Sequence, residues 1–556
     1  MLLETLFAAA DIGRLHDIAR VFVRHGFGDL VRRSGLGRLL HRAGRALHLE
    51  VAPPSDLAPA ERMRLVLEDL GPTFVKLGQL LASRHDLLPP DWIDAFSNLH
   101  ANVRAVPFEE LQQQLEEDLE APTDAAFADF TRQHLAAGSI AQVHRARLAD
   151  GREVAVKIRR PRIEEVVAAD LRLLGRLAEL LESEVAELRR FRPKRIVRQF
   201  ARTIRAELDF NVEARNTQRI AENMGSVPEL VVPTVVESYT RERLLVMSYL
   251  DGLSAARWIR GERPEHLRPE QLARLGAEVV LKMVFEDGLY HADPHPGNVL
   301  FLSGDRLGLL DFGMVGRLGD SRRREFVALL LAAIDRQEAA IVDILLDWSE
   351  DGEAATEGLS QDCAAFLDHY HSVPLSELDV AAMLGDIATI VRENGLILPS
   401  DVALLIKVFV TLDGLGRALD PSFDLAARVE PLARDLMQRA WSPRELFNRG
   451  LGDLRTLAFR LPGDLRTLTR RLRRGSFALD LRLRHLEDFG HQLERSANRM
   501  TMGMVTAALI IGTSILLTLD AGPRLLGLPV MGLLGFVSSI LLGLWLLWSI
   551  VRSGRR

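Results

Sequence analysis

Cysteine is all but missing from this chain: Cys363 stands alone in 556 residues. No intramolecular disulfide can form, a cysteine-rich metal site is excluded, and a reducing compartment is the natural setting. Lysine is nearly as scarce. Among 70 Lys and Arg side chains only Lys76, Lys157, Lys194, Lys282 and Lys407 are lysine, so each stands where arginine is the chain's usual choice. Net charge is also small, −6, which gives the molecule no general affinity for polyanions and argues against nucleic acid as a partner. At the N-terminus Glu4 and Asp11 come early and no basic segment precedes an apolar one, so a signal peptide is not expected. What is present is ordinary: 26% charged and 47% apolar residues, in a length that suits about two to four folded units.

Periodicity divides the chain. Residues 1–50 read as an amphipathic helical segment ending in the linker Val51-Ala-Pro-Pro-Ser-Asp56, and 51–130 as a further helical region in which the apolar spacing is helical from Glu61 through Leu81 and Pro90-Asp91 opens another helix. Within 131–252 the period shortens. Val143–Leu148 and Glu153–Ile158 alternate as strands do and flank Asp150-Gly151, a hairpin signal, while 162–224 returns to helix before β-rich Val231–Val236 and Leu244–Tyr249. Residues 253–435 read as helix, interrupted by Val299–Leu302 and Leu307–Leu310 around Ser303-Gly304-Asp305.

Residues 436–498 are rich in Leu and Arg, with Gly-Asp-Leu-Arg-Thr-Leu at 452–457 and again at 463–468. The basic run Arg466–Arg474 suits either anionic lipid headgroups or a solvated helical face. Beyond it, within 499–552, Met502–Leu519 and Pro529–Val551 are nearly uncharged apolar stretches, and about 20 such residues span a bilayer. They are expected to form a transmembrane hairpin. Arg495 and Arg499 before it and Arg552, Arg555 and Arg556 after it put both outer ends on the cytoplasmic side.

Chemistry concentrates in a few strings. In Leu135-Ala136-Ala137-Gly138-Ser139-Ile140-Ala141-Gln142-Val143, small side chains between strand signals would let backbone amides approach phosphates. Lys157, in Val-Ala-Val-Lys on the next expected strand, is placed to reach those phosphates as a compact ammonium that a planar guanidinium replaces poorly. The strongest signal is His291-Ala-Asp293-Pro-His295-Pro-Gly-Asn298, followed by Leu309-Leu-Asp311-Phe-Gly313. Phosphoryl transfer from ATP needs a carboxylate to orient or deprotonate the attacking hydroxyl and oxygen ligands to hold Mg²⁺. Asp293 is the expected base or orienter, and Asn298, five positions on, and Asp311 the metal ligands. His291 and His295 lack a third ligand nearby and are expected to orient the loop. A phosphate-binding lysine needs a carboxylate partner, and of Glu207, Asp209 and Glu213, Glu213 is the choice for Lys157. Glu207 and Asp209 would then either reach toward Mg²⁺ and phosphate or remain solvated.

Together with Phe74-Val-Lys76-Leu-Gly78-Gln79, these strings resemble the UbiB family of atypical kinases over about residues 60–320. The resemblance implies an α+β, protein-kinase-like bilobal fold with a helical N-terminal extension over the active site, into which Lys76 and Gln79 would point, and with a C-terminal transmembrane helix pair. It implies Mg²⁺ and ATP as cofactor and substrate, a bacterial inner-membrane location with the catalytic part cytoplasmic, and a role in ubiquinone biosynthesis. Membrane lipid, quinone precursors and ubiquinone-biosynthetic enzymes are the partners it suggests. The family's Ala-Ala-Ala-Ser loop reads Ala136-Ala137-Gly138-Ser139 here, and glycine permits backbone conformations that alanine resists. Only Met314–Asp320 separate Asp-Phe-Gly from the next expected helix and no Ala-Pro-Glu follows, so the peptide-docking segment of protein kinases is missing. An ATPase or phosphoryl transferase that delivers quinone precursors leads the readings. A protein kinase, a small-molecule kinase and a non-catalytic ATP-dependent scaffold are its rivals.

Overall fold

The computed structural model describes residues 9–29, 57–99, 105–184, 189, 191–348, 356–370, 379–440, 504–515 and scattered positions between 524 and 541. The chain divides into two units, Met1–Phe447 and Asn448–Arg556.

The first unit begins with helices α1 (Ala9–Arg24), α2 (Pro59–Leu70), α3 (Pro72–Ala82), α4 (Pro90–Ser97), α5 (Phe108–Leu119) and the short α6 (Thr123–Ala126). The helical spacing from Glu61 through Leu81 does not make one helix. Gly71 adopts φ +99, a conformation that costs glycine little, and Pro72 starts the next helix without needing an N–H donor. Gly78 serves packing instead: a Cβ there would overlap Leu99 Cδ1 and Leu67 Cδ1, so its absence lets α3 settle against α2 and the end of α4. Arg14 fastens this extension, donating to Asp170 Oδ1 at 2.7 Å and to the Leu70 carbonyl at 2.7 Å.

Next come β1 (Asp129–Ala137), β2 (Ala141–Arg147) and β3 (Glu153–Arg159), then α7 (Ile163–Glu184), α8 (Pro193–Leu208), α9 (Phe210–Asn223), β4 (Leu230–Val231) and β5 (Leu244–Ser248). The expected hairpin is present, with Arg147 opposite Glu153 and Val143 opposite Lys157. β5 completes an antiparallel sheet in the order β1-β2-β3-β5, because Val154, Val156 and Ile158 on one face bury against Leu111 and Leu115 of α5. Val231–Val236 is not a full strand of this sheet: β4 pairs in parallel with a strand of the next lobe, and Val235 makes one bridge to Met247.

The larger lobe holds β6 (Leu253–Ser254), α10 (Ala255–Ile259), α11 (Pro269–Lys282), β7 (Leu289–His291), β8 (Val299–Leu302), β9 (Arg306–Leu309), β10 (Val315–Arg317) and helices α12 (Asp320–Ile334), α13 (Glu338–Trp348), α14 (Thr356–His369), α15 (Val380–Glu393), α16 (Ser400–Leu419) and α17 (Ala426–Ala440). β8 and β9 form the expected hairpin. One apolar core runs through this lobe from Phe285 and Phe326 to Phe409 of α16. Such burial of large side chains, each worth roughly 1.5–3 kcal/mol relative to exposure, fixes α16 firmly beside the β7–β8 connection.

In the second unit residues 504–515 are helical, with Met504, Val505, Ile510, Ile511 and Ile515 exposed. Arg524–Leu525 pairs antiparallel with Leu528–Pro529 between the two apolar stretches. No helix among the described residues is long and apolar enough to cross a membrane. The expected transmembrane pair is therefore not borne out there; the ends of the first stretch and most of the second, like 441–498 of the basic segment, lie outside the described residues.

Candidate phosphoryl-transfer site

The junction between α8 and α9 shows how local sequence builds the site. Leu208 is buried and Asp209 leaves the helical conformation, φ −104 and ψ 98, so its carboxylate caps α9 by accepting from Asn211 N at 3.0 Å. Asp209 Oδ1 is thereby engaged in capping, accepting from Asn211 Nδ2 as well at 2.9 Å. One turn into α9, Glu213 is buried and accepts from Lys157 Nζ at 2.8 and 2.9 Å. At the end of α8, Glu207 receives Lys76 Nζ of α3 at 3.0 and 2.9 Å. The string Glu207-x-Asp209-x-x-x-Glu213 thus provides two lysine partners around one cap.

Asp311 joins Lys157 at 3.4 Å. Its backbone is left-handed, φ +56, a strained position for a residue other than glycine that an Asp tolerates, and its Oδ1 accepts from Gly313 N at 3.2 Å. The following Phe312 is buried beside the His291 ring, 5.2 Å between centroids, and its carbonyl accepts from Asn216 Nδ2 at 3.0 Å. The Asp311 side chain is half exposed, and although partial desolvation in the cleft works against its charge, Lys157, Lys76 and the Gly313 amide hold its carboxyl far below the usual range. Burial likewise opposes the Lys157 ammonium, but Asp311 and Glu213 raise its pKa well above the ordinary value.

His291 orients the loop. Its Nε2 donates to the Leu310 carbonyl at 2.9 Å and its Nδ1 accepts from Asp293 N at 3.2 Å, an arrangement that needs the neutral ring that burial favours. Asn298 donates through Nδ2 to the Asp293 carbonyl at 3.2 Å, which leaves its side-chain oxygen as the free acceptor. Burial disfavours the Asp293 charge, but Lys407 and His295 keep the carboxyl below its ordinary value. Lys76 lies within electrostatic reach of Glu207, Asp311 and Asp293 together. A cavity of about 300 Å³ opens on this cluster, with Lys76, Glu207, Asp293 and Lys407 on its polar side and Leu80, Phe200 and Leu404 among its apolar walls.

The small-residue loop divides in two. Leu135 and Ala136 are exposed and Ala137, Gly138 and Val143 half-buried. Ser139, Ile140, Ala141 and Gln142 are buried, Ile140 among the α3 and α7 side chains and Ala141 against Phe210 and Ala214. Gln142 exchanges two hydrogen bonds with the Val106 backbone at 3.0 and 3.2 Å. Arg160 secures the turn by donating to the Gly138 carbonyl at 2.9 Å. Gly138 itself is not in the left-handed region, and a Cβ would meet only the Ala141 carbonyl at 3.4 Å, so alanine fits here and the wider conformational range that glycine permits is not used. Gln79 also differs from expectation in part: it lines the cavity but spends its amide on the Leu99 carbonyl at 3.0 Å.

Two features escape motif reading. Lys407 of α16 donates to Asp293 Oδ1 at 2.8 Å; the scarcity of lysine is the one sequence signal that marks it. Arg84 and Asp86 form a buried pair at 2.8 and 2.6 Å, and Asp86 accepts from Leu398 N at 3.0 Å, latching the N-terminal extension to the loop before α16.

A sheet-bearing lobe whose strand lysine meets a helix glutamate, above a helical lobe carrying Asp293, Asn298 and Asp311, defines a protein-kinase-like protein. The chain belongs to the UbiB family of atypical kinase-like proteins: the model of the ABC1 atypical kinase-like domain matches residues 98–345, that of the UbiB helical domain 363–424, and that of the ABC1/UbiB kinase-like C-terminal domain 484–552. A protein named probable protein kinase UbiB from Pseudomonas paraeruginosa is 33% identical over 78% of this chain and 83% of its own. Its namesake from Aliivibrio fischeri is 30% identical over 92% and 94%. An uncharacterized Clostridium pasteurianum protein is 28% identical over 97% and 99%. Among solved structures, an erythromycin complex from Mycobacterium tuberculosis aligns with TM-score 0.39 at 21% identity, over 71% of this chain and 99% of that one.

Proposed function

We propose that this protein binds ATP with Mg²⁺ in the cleft between its lobes and moves the terminal phosphoryl group to water or to a small apolar hydroxyl compound, in support of ubiquinone biosynthesis at the bacterial inner membrane. The observation that carries this reading is the convergence of Lys157, Glu213 and Asp311, with Asp293 on the adjoining loop. Lys157, locked by Glu213, is a fixed cation for phosphate oxygens. Asp311 and the Asn298 oxygen are hard donors that fit Mg²⁺, an ion that usually keeps one or two protein oxygens and fills its shell with water and phosphate. When bound, the ion neutralises charge on the phosphates. Asp293 Oδ1 takes the acceptor's proton as the acceptor oxygen bonds to phosphorus and the old phosphorus–oxygen bond breaks, its electron pair leaving with ADP.

Two observations favour a small acceptor. β10 pairs at once with β7, Gly316 opposite Tyr290, and α12 starts at Asp320, so the stretch after Asp311 offers a peptide nothing to lie along. The cavity of about 300 Å³ has the size of a small-molecule pocket and mixed walls. Family membership supports the biosynthetic role, and the apolar stretches within 502–551 support membrane anchoring. Loss of the gene should leave its host without ubiquinone and with an early precursor accumulated; a normal quinone content would dismiss that role. The full chain should stay with membranes after alkaline extraction, and release into the soluble fraction would dismiss the anchor.

Lys76 tests the gating part of this reading. It is held by Glu207 in the cavity wall and feels Asp311 and Asp293, where a loose ammonium would be costly. Lys76→Ala is expected to alter ATP affinity or the ratio of phosphate release to self-labelling while moving the melting temperature little. A nucleotide profile identical to wild type, with or without a lowered melting temperature, would reduce Lys76 to a structural residue.

A further inference from the structure

Asp293 is already occupied. Its Oδ1 accepts from Lys407 Nζ at 2.8 Å, and Lys407 stands 114 positions downstream on α16, outside every motif that marks the site. The lysines away from the cleft behave differently: Lys194 pairs with Glu182 near the ends of α7 and α8, and Lys282 with Asp287 one turn beyond its own helix. Lys407 and Asp293 both line the cavity, with side chains 23% and 30% exposed. Ile406, Val408 and Phe409 are buried, so the helix beneath Lys407 is fixed while its long side chain retains room to turn.

The catalytic loop leaves a charge to be filled. His291–Asn298 contains neither lysine nor arginine, and His291 is committed through both ring nitrogens. His295 Nδ1 accepts from Gly297 N at 3.0 Å. Lys157 is held by both oxygens of Glu213, and Lys76 by both oxygens of Glu207. A transferring phosphoryl group spreads negative charge over three oxygens and is stabilised by cations placed in advance.

We propose that Lys407 is a catalytic residue: on ATP binding its ammonium exchanges Asp293 for an oxygen of the terminal phosphate, which supplies the cation the loop lacks and frees Asp293 to accept a proton. The only proton that moves goes from the acceptor hydroxyl to Asp293. The inference rests on the phosphoryl-transfer reading above. It predicts that the contribution of Lys407 to binding exists only when a terminal phosphate is present, whereas a lysine that merely steadies Asp293 would not distinguish nucleotides.

The test compares affinities of the full chain for Mg-ADP and for the non-hydrolysable ATP analogue Mg-AMP-PNP, by calorimetry, in wild type, Lys407→Met, Lys407→Gln and Lys407→Arg. Lys407→Met is expected to bind ADP as wild type does, to lose on the order of 10-fold in AMP-PNP affinity, and to lose on the order of 10²-fold or more in turnover. Lys407→Arg should recover most of the AMP-PNP affinity. Should Lys407→Met not fold, Lys407→Gln keeps a donor for Asp293 without the charge and is expected to show the same nucleotide-selective loss. Affinities for both nucleotides unchanged, or reduced by one common factor, would overturn the proposal while leaving a wild type that binds and turns over ATP intact. A wild type that binds neither nucleotide would overturn the phosphoryl-transfer reading, and this one with it.

Discussion

Asp311→Asn is expected to abolish turnover and to erase the Mg²⁺ dependence of ATP binding. The substitution is nearly isosteric, and Asn tolerates the left-handed backbone that Asp311 adopts at φ +56 about as well as Asp does. The Gly313 amide keeps an oxygen to donate to, so the local fold should persist. What changes is charge: a neutral amide is a far poorer ligand for a hard cation than a carboxylate, and Lys157 loses one of its two carboxylate neighbours. A fall in turnover on the order of 10³-fold or more is expected, with ATP affinity no longer rising as Mg²⁺ is titrated in. An undiminished Mg²⁺ response in the variant would remove Asp311 from the metal site.

Asp293→Asn should act on a different quantity. Asp293 touches Lys407, and its backbone is set by His291 and Asn298, but it has no contact with Lys157 or Glu213. ATP binding is therefore expected to survive, while turnover falls by a factor on the order of 10² to 10⁴, the usual worth of a positioned proton acceptor. Lys407 and His295 hold the Asp293 carboxyl below its ordinary range, so at neutral pH the wild-type group is already in the form that can accept a proton. Full activity of the variant at saturating ATP would refute the role.

How much of this was legible beforehand follows from what kind of interaction places each residue. The β2–β3 hairpin was legible because strand alternation and Asp150-Gly151 are local signals, and they put Lys157 opposite Val143. The Lys157–Glu213 contact was reachable because a phosphate-binding lysine needs a carboxylate partner, which narrows the choice to the acidic cluster Glu207, Asp209 and Glu213 around the α8–α9 junction. Local reading missed the structural uses of two side chains: Asp209 caps α9 through Oδ1, and Gln142 of the small-residue string hydrogen-bonds the Val106 backbone. It failed also where backbone chemistry overrides periodicity, as at Gly71-Pro72. Lys407 was invisible to spacing for a plainer reason: packing of α16 into the large-lobe core, not sequence proximity, brings it to Asp293.

The central claim is that the cleft moves the terminal phosphoryl group of ATP and that its acceptor is not a protein. Supplying the purified full chain with ATP labelled in the terminal phosphate, with Mg²⁺ and a membrane lipid extract, and partitioning the label between inorganic phosphate, small or lipid hydroxyl compounds and protein, tests it directly. The account predicts Mg²⁺-dependent label in phosphate or in the small and lipid fraction, absent in Asp311→Asn; label confined to protein, or no turnover by a wild type shown to be folded, would contradict it.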